Sequence, residues 1–189
     1  MDNELYRKKG LEGKWNKLSD SKAKLIDLIQ VPGTGFVGIA PDYTLWSATS
    51  LTGTWSLAPN SGSVISIAIL ADKTTYVGVG MDHELYSRNG LAGIWSLVPK
   101  SGSVIDVSVL FDGKLLGVGM DYQLYIKEDL MAKWVLAPGS GSVTRAKQQP
   151  DGSIFGVGMD NALYRKQHME APWVVVPDSC CVLSVIITF

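Results

Sequence analysis

Cysteine and histidine are scarce in this chain of 189 residues. Its two cysteines, Cys180 and Cys181, are adjacent, and neighbouring cysteines form a disulfide only with strain. We interpret them as free thiols in an apolar strand. The two histidines, His83 and His168, have no cysteine or histidine partner at ligand spacing. We therefore expect no metal, no cofactor and no histidine-based catalytic triad.

Excess charge and long hydrophobic runs are also missing. Seventeen basic residues face 18 acidic ones, and no basic stripe is interleaved with aromatics, so we expect no nucleic-acid partner. No apolar run reaches the roughly 20 residues that a membrane span needs. The polar start of the chain predicts no signal peptide and leaves the compartment open, cytoplasmic or secreted without one. No segment shows helical periodicity, which predicts an all-β chain.

A repeat of about 40 residues runs through the whole chain. The motif Gly-Val-Gly-Met-Asp-x-x-Leu-Tyr occurs three times, at residues 78–86, 117–125 and 156–164. A degenerate copy occupies residues 38–46, and a half copy occupies residues 1–6. Tryptophans recur with the same spacing, at Trp15, Trp55, Trp95, Trp134 and Trp173. Each repeat holds four short β-branched runs separated by turn residues, which indicates a four-stranded meander.

The adjacent leucine and tyrosine of the motif point to opposite faces of a strand, so both faces are expected to be buried. Sheets buried on both faces and stacked radially form a β-propeller. We predict an all-β, five-bladed β-propeller with four-stranded blades of roughly 40 residues, in which residues 1–189 form a single domain of five repeats. We favour this fold over an open solenoid.

The ring is predicted to close by pairing of the N- and C-terminal segments. The last blade is shared between residues 1–18 and 179–189, and it is short by about eight residues, the equivalents of Asp151 through Gly158. This blade should therefore lack its second strand. Its unpaired edge predicts self-association. A fragment or an engineered propeller that serves as a folding model is an alternative.

One predicted first strand, Thr144–Gln149, is polar where the other repeats are apolar. A polar innermost strand conflicts with burial on both faces. It either lines a wet central channel or marks local divergence.

The pattern Trp-x-x-x-Pro-x-Ser-Gly-Ser-Val, followed by Asp-Gly and by Gly-Val-Gly-x-Asp-x-x-Leu-Tyr, resembles the tectonin-type propeller repeat. The five-fold count and the tryptophan in each blade are similar to the tachylectin-like lectins, five-bladed proteins that bind N-acetylated sugars between blades. The resemblance covers the whole chain, although the repeats here are shorter. It implies a multivalent lectin for glycans of the N-acetylglucosamine type, and no sugar-contacting residue can be carried over singly.

Ligand-binding residues are expected on one rim, because second-to-third turns and blade-to-blade linkers share a rim in a propeller. Carboxylates and hydroxyls suit sugar hydroxyls, and aromatic rings suit the C–H face of a sugar. The candidate residues are Asp82, Asp121, Asp160, Ser61, Ser63, Ser101, Ser103, Ser140, Ser142, Tyr86, Tyr125 and Tyr164. In the alternative interpretation the aspartates cap turns and Ser-Gly-Ser is only a linker.

Three functions remain open: a lectin with several equivalent weak sites, a scaffold that binds proteins through one rim, or a folding model. Catalysis is not expected. Five-bladed glycosidases bring carboxylates together near the axis, whereas the first strands here offer only Asp27 and Asp106.

Overall fold

The computed structural model describes residues 2–18 and 23–186. All regular elements in this part of the chain are β-strands, as predicted. No helix in the same residues is long and apolar enough to cross a membrane.

Strands in sequence order pair antiparallel with their neighbours and form successive sheets. Blade 1 comprises β3 (Asp27–Val31), β4 (Gly35–Ile39), β5 (Leu45–Ala48) and β6 (Ser56–Leu57). Blade 2 comprises β7 (Val64–Ile69), β8 (Thr75–Gly80), β9 (Leu85–Asn89) and β10 (Ser96–Leu97). Blade 3 comprises β11 (Val104–Val109), β12 (Leu115–Gly119), β13 (Leu124–Lys127) and β14 (Val135–Leu136). Blade 4 comprises β15 (Val143–Gln148), β16 (Ile154–Gly158), β17 (Leu163–Lys166) and β18 (Val174–Val175).

The number of complete blades differs from the prediction. Within residues 2–18 and 23–186 four sheets have four strands, not five. The remaining sheet, which we call the half-blade, has two: β1 (Tyr6–Lys8) and β2 (Trp15–Lys17). Residues 179–186 contain no strand, so the predicted strand pairing between the chain ends is not formed in the described part. Residues 1 and 187–189, which we also assigned to that blade, lie outside the described residues.

The hydrophobic core lies between blades. Leu45 of β5 packs in one cluster with Ile67 of β7, and Leu85 of β9 packs in the next with Val107 of β11. Leu45 and Leu85 are fully buried. Burial of such a side chain contributes about 1.5–3 kcal/mol, which explains why leucine recurs at this position of each repeat.

Glycine in the second strands makes room for the tryptophan that immediately precedes the fourth strand. A Cβ atom on Gly117 would lie 2.7 Å from the ring of Trp134, and one on Gly156 would lie 2.8 Å from that of Trp173. The Gly-Val-Gly motif is thus a packing requirement of the blade, because any larger residue would push the indole out.

The half-blade packs between blade 4 and blade 1. Its Lys8 Nζ donates to the carbonyl of Pro177 at 2.7 Å, as Lys127 Nζ of blade 3 donates to that of Pro99 at 3.2 Å. On the other side, Leu25 N donates to the carbonyl of Asn3 at 2.8 Å. These bonds attach the half-blade to the ends of blades 4 and 1. In the described part of the chain, the two terminal segments meet by packing and side-chain contacts and form no strand ladder with each other.

An ionic network at the centre of the ring explains the polar strand β15. Arg145 Nη1 lies 3.2 Å from Asp106 Oδ1, and Lys147 Nζ lies 2.9 Å from Asp27 Oδ1. Ser184 Oγ also donates to Asp27 Oδ1, at 2.6 Å. The two cations of β15 therefore neutralise the two first-strand carboxylates, and the network joins blades 1, 3 and 4 to the C-terminal segment.

The two carboxylates of this network have different pKa shifts. Burial raises the pKa of Asp27, but the charges of Lys147 and Arg145 more than offset it, so the pKa lies below its usual value. For Asp106 burial prevails over the attraction of Arg145, and the nearby Asp27 adds to it, so the pKa of Asp106 is raised. Asp27 is thus the carboxylate whose charge the network stabilises most.

Candidate functional site

A belt of backbone hydrogen bonds joins turns and linkers on one rim. In blade 2, Met81 N donates to the carbonyl of Ser63 in the preceding linker at 3.0 Å. Val104 N, after the following linker, donates to the carbonyl of His83 at 3.2 Å. Each Met-Asp-x turn is thus held between two linkers, and the predicted turns and linkers do share a rim.

The third residue of each linker has a left-handed backbone conformation. Ser63, Ser103 and Ser142 have φ values of 58°, 67° and 61°. Their carbonyl groups accept the bond from the methionine amide, and their side chains are exposed. These three candidate residues therefore present solvent-exposed hydroxyl groups at the rim.

The rim aspartates hold their own turns. Asp82 Oδ1 accepts from Glu84 N at 3.2 Å, and Asp82 Oδ2 accepts from the hydroxyl of Tyr86 at 2.7 Å. The same carboxylate–phenol bond is 2.8 Å long in Asp121–Tyr125 and in Asp160–Tyr164, and 2.7 Å long in Asp2–Tyr6. The structural interpretation of the aspartates therefore applies, and the tyrosines are part of the same turn.

This bond changes the acidity of both groups. The hydrogen bond from Tyr86 holds the pKa of Asp82 below its usual value, and the same bond raises the pKa of Tyr86. Glycine permits the contact, because a Cβ atom on Gly80 would lie 2.5 Å from Asp82 Oδ1 and 2.9 Å from the tyrosine ring.

The first serine of the linker is a structural residue after blades 2 and 3. Ser101 is 1 % exposed, its hydroxyl donates to the carbonyl of Val98 at 2.6 Å, and it accepts from Leu85 N at 3.0 Å. Ser140 donates to the carbonyl of Ala137 at 2.8 Å and is half-buried, as is Ser61. The prediction that Ser101 meets a ligand is wrong, because its hydroxyl is buried and joins strands three and four.

Sequence reasoning overlooked the rim methionines. Met81, Met120 and Met159 are 53 %, 52 % and 57 % exposed, next to the rim aspartates. Recurrence of methionine at the same place in three repeats was a signal that the Gly-Val-Gly-Met-Asp motif already carried. Exposed methionine, aspartate and linker serine together define what we call the rim cluster, which occurs in blades 2, 3 and 4.

The tryptophans belong to the blades, and basic side chains lie over them. Arg88 is 3 % exposed and lies over Trp95 at 4.5 Å. Lys166 lies over Trp173 at 5.1 Å. Cation–π contact and carbonyl bonds offset part of the cost of burying these charges, and burial lowers the pKa of both groups.

The described residues contain no group of three or more histidine, cysteine, aspartate or glutamate side chains placed to hold a metal ion. Asp27 and Asp106 are buried and paired with cations, so neither is presented to a substrate.

Comparison with known proteins supports the fold alone. No protein-family model and no curated protein sequence matches the chain. Among solved structures, YCF48 bound to D1 peptide is similar with a TM-score of 0.56 at 14 % identity, over 82 % of this chain and 55 % of that one. The WD40 β-propeller domain of Doa1 is similar with a TM-score of 0.51 at 16 % identity, over 78 % and 52 %.

A glycoside hydrolase, the GH74 enzyme of Niastella koreensis, is similar with a TM-score of 0.53 at 18 % identity, over 80 % of this chain and 24 % of that one. The chain spans about half the length of the YCF48 structures that it matches. At these identities the similarity is one of fold, and the chain has the β-propeller fold.

Proposed function

We propose that the chain is a non-enzymatic binding propeller with five places in its ring, and that it acts as a multivalent lectin of the tectonin type. The observation that carries this proposal is the rim cluster, which occurs with the same composition in three successive blades. A ligand with repeated units, such as a glycan, matches repeated sites, because several weak contacts add up to avidity.

The structural role of the rim aspartates is compatible with sugar binding. An ionised carboxylate has about four lone-pair sites, and Asp82 uses one on Glu84 N and one on the tyrosine hydroxyl. The remaining acceptor positions are available to sugar hydroxyls. Tyr86 fixes the carboxylate in place, so little conformational entropy is lost when a ligand binds.

Exposed groups of the rim cluster supply the other contacts of such a site. The serine hydroxyl both donates and accepts, as sugar hydroxyls do. The methionine side chain offers a polarizable apolar surface to the C–H face of the ring. We propose glycans of the N-acetylglucosamine type as ligands, at blades 2, 3 and 4.

Isothermal titration with N-acetylglucosamine and its oligomers, after a glycan array, tests the proposal. The triple variant Ser63→Gly, Ser103→Gly and Ser142→Gly removes three hydroxyls and suits the positive φ at each position. We expect it to weaken glycan binding without loss of folding, whereas Phe111→Ala, at an exposed turn of the opposite rim, should leave binding unchanged. Absence of binding to every glycan would contradict the proposal.

A protein-binding scaffold is the second candidate, and the exposed methionines favour it. Flexible methionine side chains adapt to varied protein surfaces. Replacement of Met81, Met120 and Met159 by alanine should then abolish capture of a protein partner, and free sugar should not compete. Loss of glycan binding in the serine variant would instead favour the lectin.

A further inference from the structure

A large open groove lies in the half-blade. Its volume is about 1180 Å³, and it is bordered on one side by residues 2–11 and on the other by residues 180–186. In blade 4 the space between the equivalent segments, β17 and β15, is filled by β16. The groove therefore lies where the other blades have their second strand.

The walls of the groove are apolar and belong to three parts of the ring. Phe155 and Leu163 of blade 4 form one wall with Val182, and Trp15 packs against them. Leu25 and Leu28 lie on the side of blade 1 and Leu5 packs on them. Leu5 is half-exposed, whereas Leu85 and Leu124, its equivalents in blades 2 and 3, are 0 % exposed. A second strand would bury Leu5 as it buries them.

On both sides of the groove, backbone groups of the described residues lack a strand partner. β1 pairs with β2 only, among the strands of the described residues, and residues 182–186 run opposite it without strand pairing. Unpaired edges of this kind accept an extended peptide by strand addition, with backbone hydrogen bonds for affinity and side-chain pockets for specificity.

The occupants of the equivalent places indicate what chemistry fits. β12 reads Leu-Leu-Gly-Val-Gly and β16 reads Ile-Phe-Gly-Val-Gly, and all of these residues are buried. The first glycine faces the tryptophan of its blade, as Gly156 faces Trp173. Trp15 takes that position in the half-blade, so the guest strand also needs glycine there.

Charge adds a second requirement. In blade 4, Arg165 of β17 binds Asp151, which lies three residues before β16, at 2.7 Å. Arg7 is the equivalent residue of β1, and it is exposed. An acidic residue three positions before the guest strand would find Arg7 free to pair with it.

We infer that the groove is an acceptor site for an extended segment of another polypeptide. This segment has the pattern apolar-apolar-Gly-Val-Gly, preceded by an acidic residue three positions before it, and it completes the fifth blade. A second copy of the chain is a poorer occupant. Its own second strands are buried in its blades, so it would have to unfold a blade to donate one.

Fluorescence anisotropy of a labelled peptide with the sequence of residues 151–158, Asp-Gly-Ser-Ile-Phe-Gly-Val-Gly, tests the inference on the full chain. We expect saturable binding of one peptide per chain. A peptide with valine in place of the first glycine of Gly-Val-Gly should bind about ten-fold more weakly or worse, because its side chain would overlap Trp15.

The Arg7→Gln variant tests the charge requirement without disturbing the core. It should bind the peptide about two- to five-fold more weakly, as expected for an exposed ion pair, and the loss should vanish when the peptide carries asparagine in place of aspartate. Sedimentation of the free and peptide-bound chain completes the test.

Three results would overturn the inference. One is a peptide dissociation constant weaker than about 1 mM. Another is equal binding of the glycine and valine peptides. The last is a dimer that excludes the peptide at every concentration tested, which would assign the groove to a second copy and match the self-association expected from the sequence.

Discussion

Blade 4 and the half-blade each have the outer two strands of a blade, and only blade 4 has the inner two among the described residues. In both, a lysine lies over the blade's tryptophan, at 5.1 Å for Lys166 and at 5.8 Å for Lys8. In both, a tyrosine hydroxyl donates to an aspartate four residues earlier. The outer hairpin therefore forms the same way with or without a second strand, because the contacts that shape it are local.

The inner part responds to the missing strand. Val143–Gln148 forms a strand because β16 pairs with it, whereas residues 182–186, at the equivalent place, form none. The segment is held instead by Ser184 on Asp27 and by Val182 N on the carbonyl of Asn161 at 2.9 Å. Contacts between blades therefore set the position of a segment in the ring, and pairing with a neighbouring strand of the same blade sets its strand geometry.

The largest expected effect comes from removing the cation that holds the C-terminal segment to the ring centre. Lys147→Met leaves Asp27 buried and without its lysine partner, which costs about 3–5 kcal/mol of unfolding free energy. Urea denaturation measures the loss. The double variant Lys147→Met with Asp27→Asn should regain much of it, and a single variant as stable as the parent would contradict the role of the network.

A matched pair of leucines measures how much the second strand contributes to burial. Leu85→Ala, in a complete blade, should cost about 2–5 kcal/mol, because Leu85 is fully buried. Leu5→Ala should cost less than half as much, because Leu5 is already half-exposed in the groove. Denaturant midpoints of the two variants compare them, and equal losses would show that the half-blade is packed as tightly as blade 2.

The propeller fold could be predicted from the sequence because its signal is a period. The shortened last repeat was expected to lack one strand, whereas the half-blade has two strands within the described residues. The ion-pair partners of β15 could not be predicted from the sequence. Lys147 and Asp27 are 120 residues apart, and their pairing across the ring has no local signal. The polar strand therefore looked like an exception, although its cations compensate the carboxylates of two other blades.

The arrangement of the candidate rim could be predicted from the sequence, whereas its binding of a ligand stays a prediction. Turns and linkers share a rim because strand order requires it, and Asp82 was recognised as a candidate turn cap. The motif does not reveal the side-chain packing that buries Ser101 and brings the Tyr86 hydroxyl into a hydrogen bond with Asp82. Exposure of the methionines likewise follows from the turn geometry.

A smaller effect is the pH dependence of stability that arises from the aspartate–tyrosine bond at the rim. This dependence should be the same in the complete blades and in the half-blade. The pKa of Asp82 is lowered, so its bond stabilises the fold above about pH 4 and is lost as pH falls through the folded pKa. The pKa of Tyr86 is raised, so its contribution is present below about pH 10 and is lost as pH rises through the folded pKa.

Carboxyl NMR titration tests this pair of groups directly. Tyr86→Phe should raise the pKa of Asp82 towards its usual value, and Tyr6→Phe should do the same for Asp2, whose pKa is lowered first of all by the Tyr6 hydroxyl. A shift in blade 2 without one in the half-blade would show that the outer hairpin depends on the second strand after all.

Amide hydrogen exchange tests the central claim, that the ring has a fifth place with an open strand position. Without peptide, β17 should exchange slowly, and β1 and residues 182–186 should exchange quickly, because no strand lies between them. With the peptide of residues 151–158, exchange should slow in β1 and in residues 182–186 and nowhere else to the same extent. Slow exchange in β1 without peptide, or no change on its addition, would contradict the account.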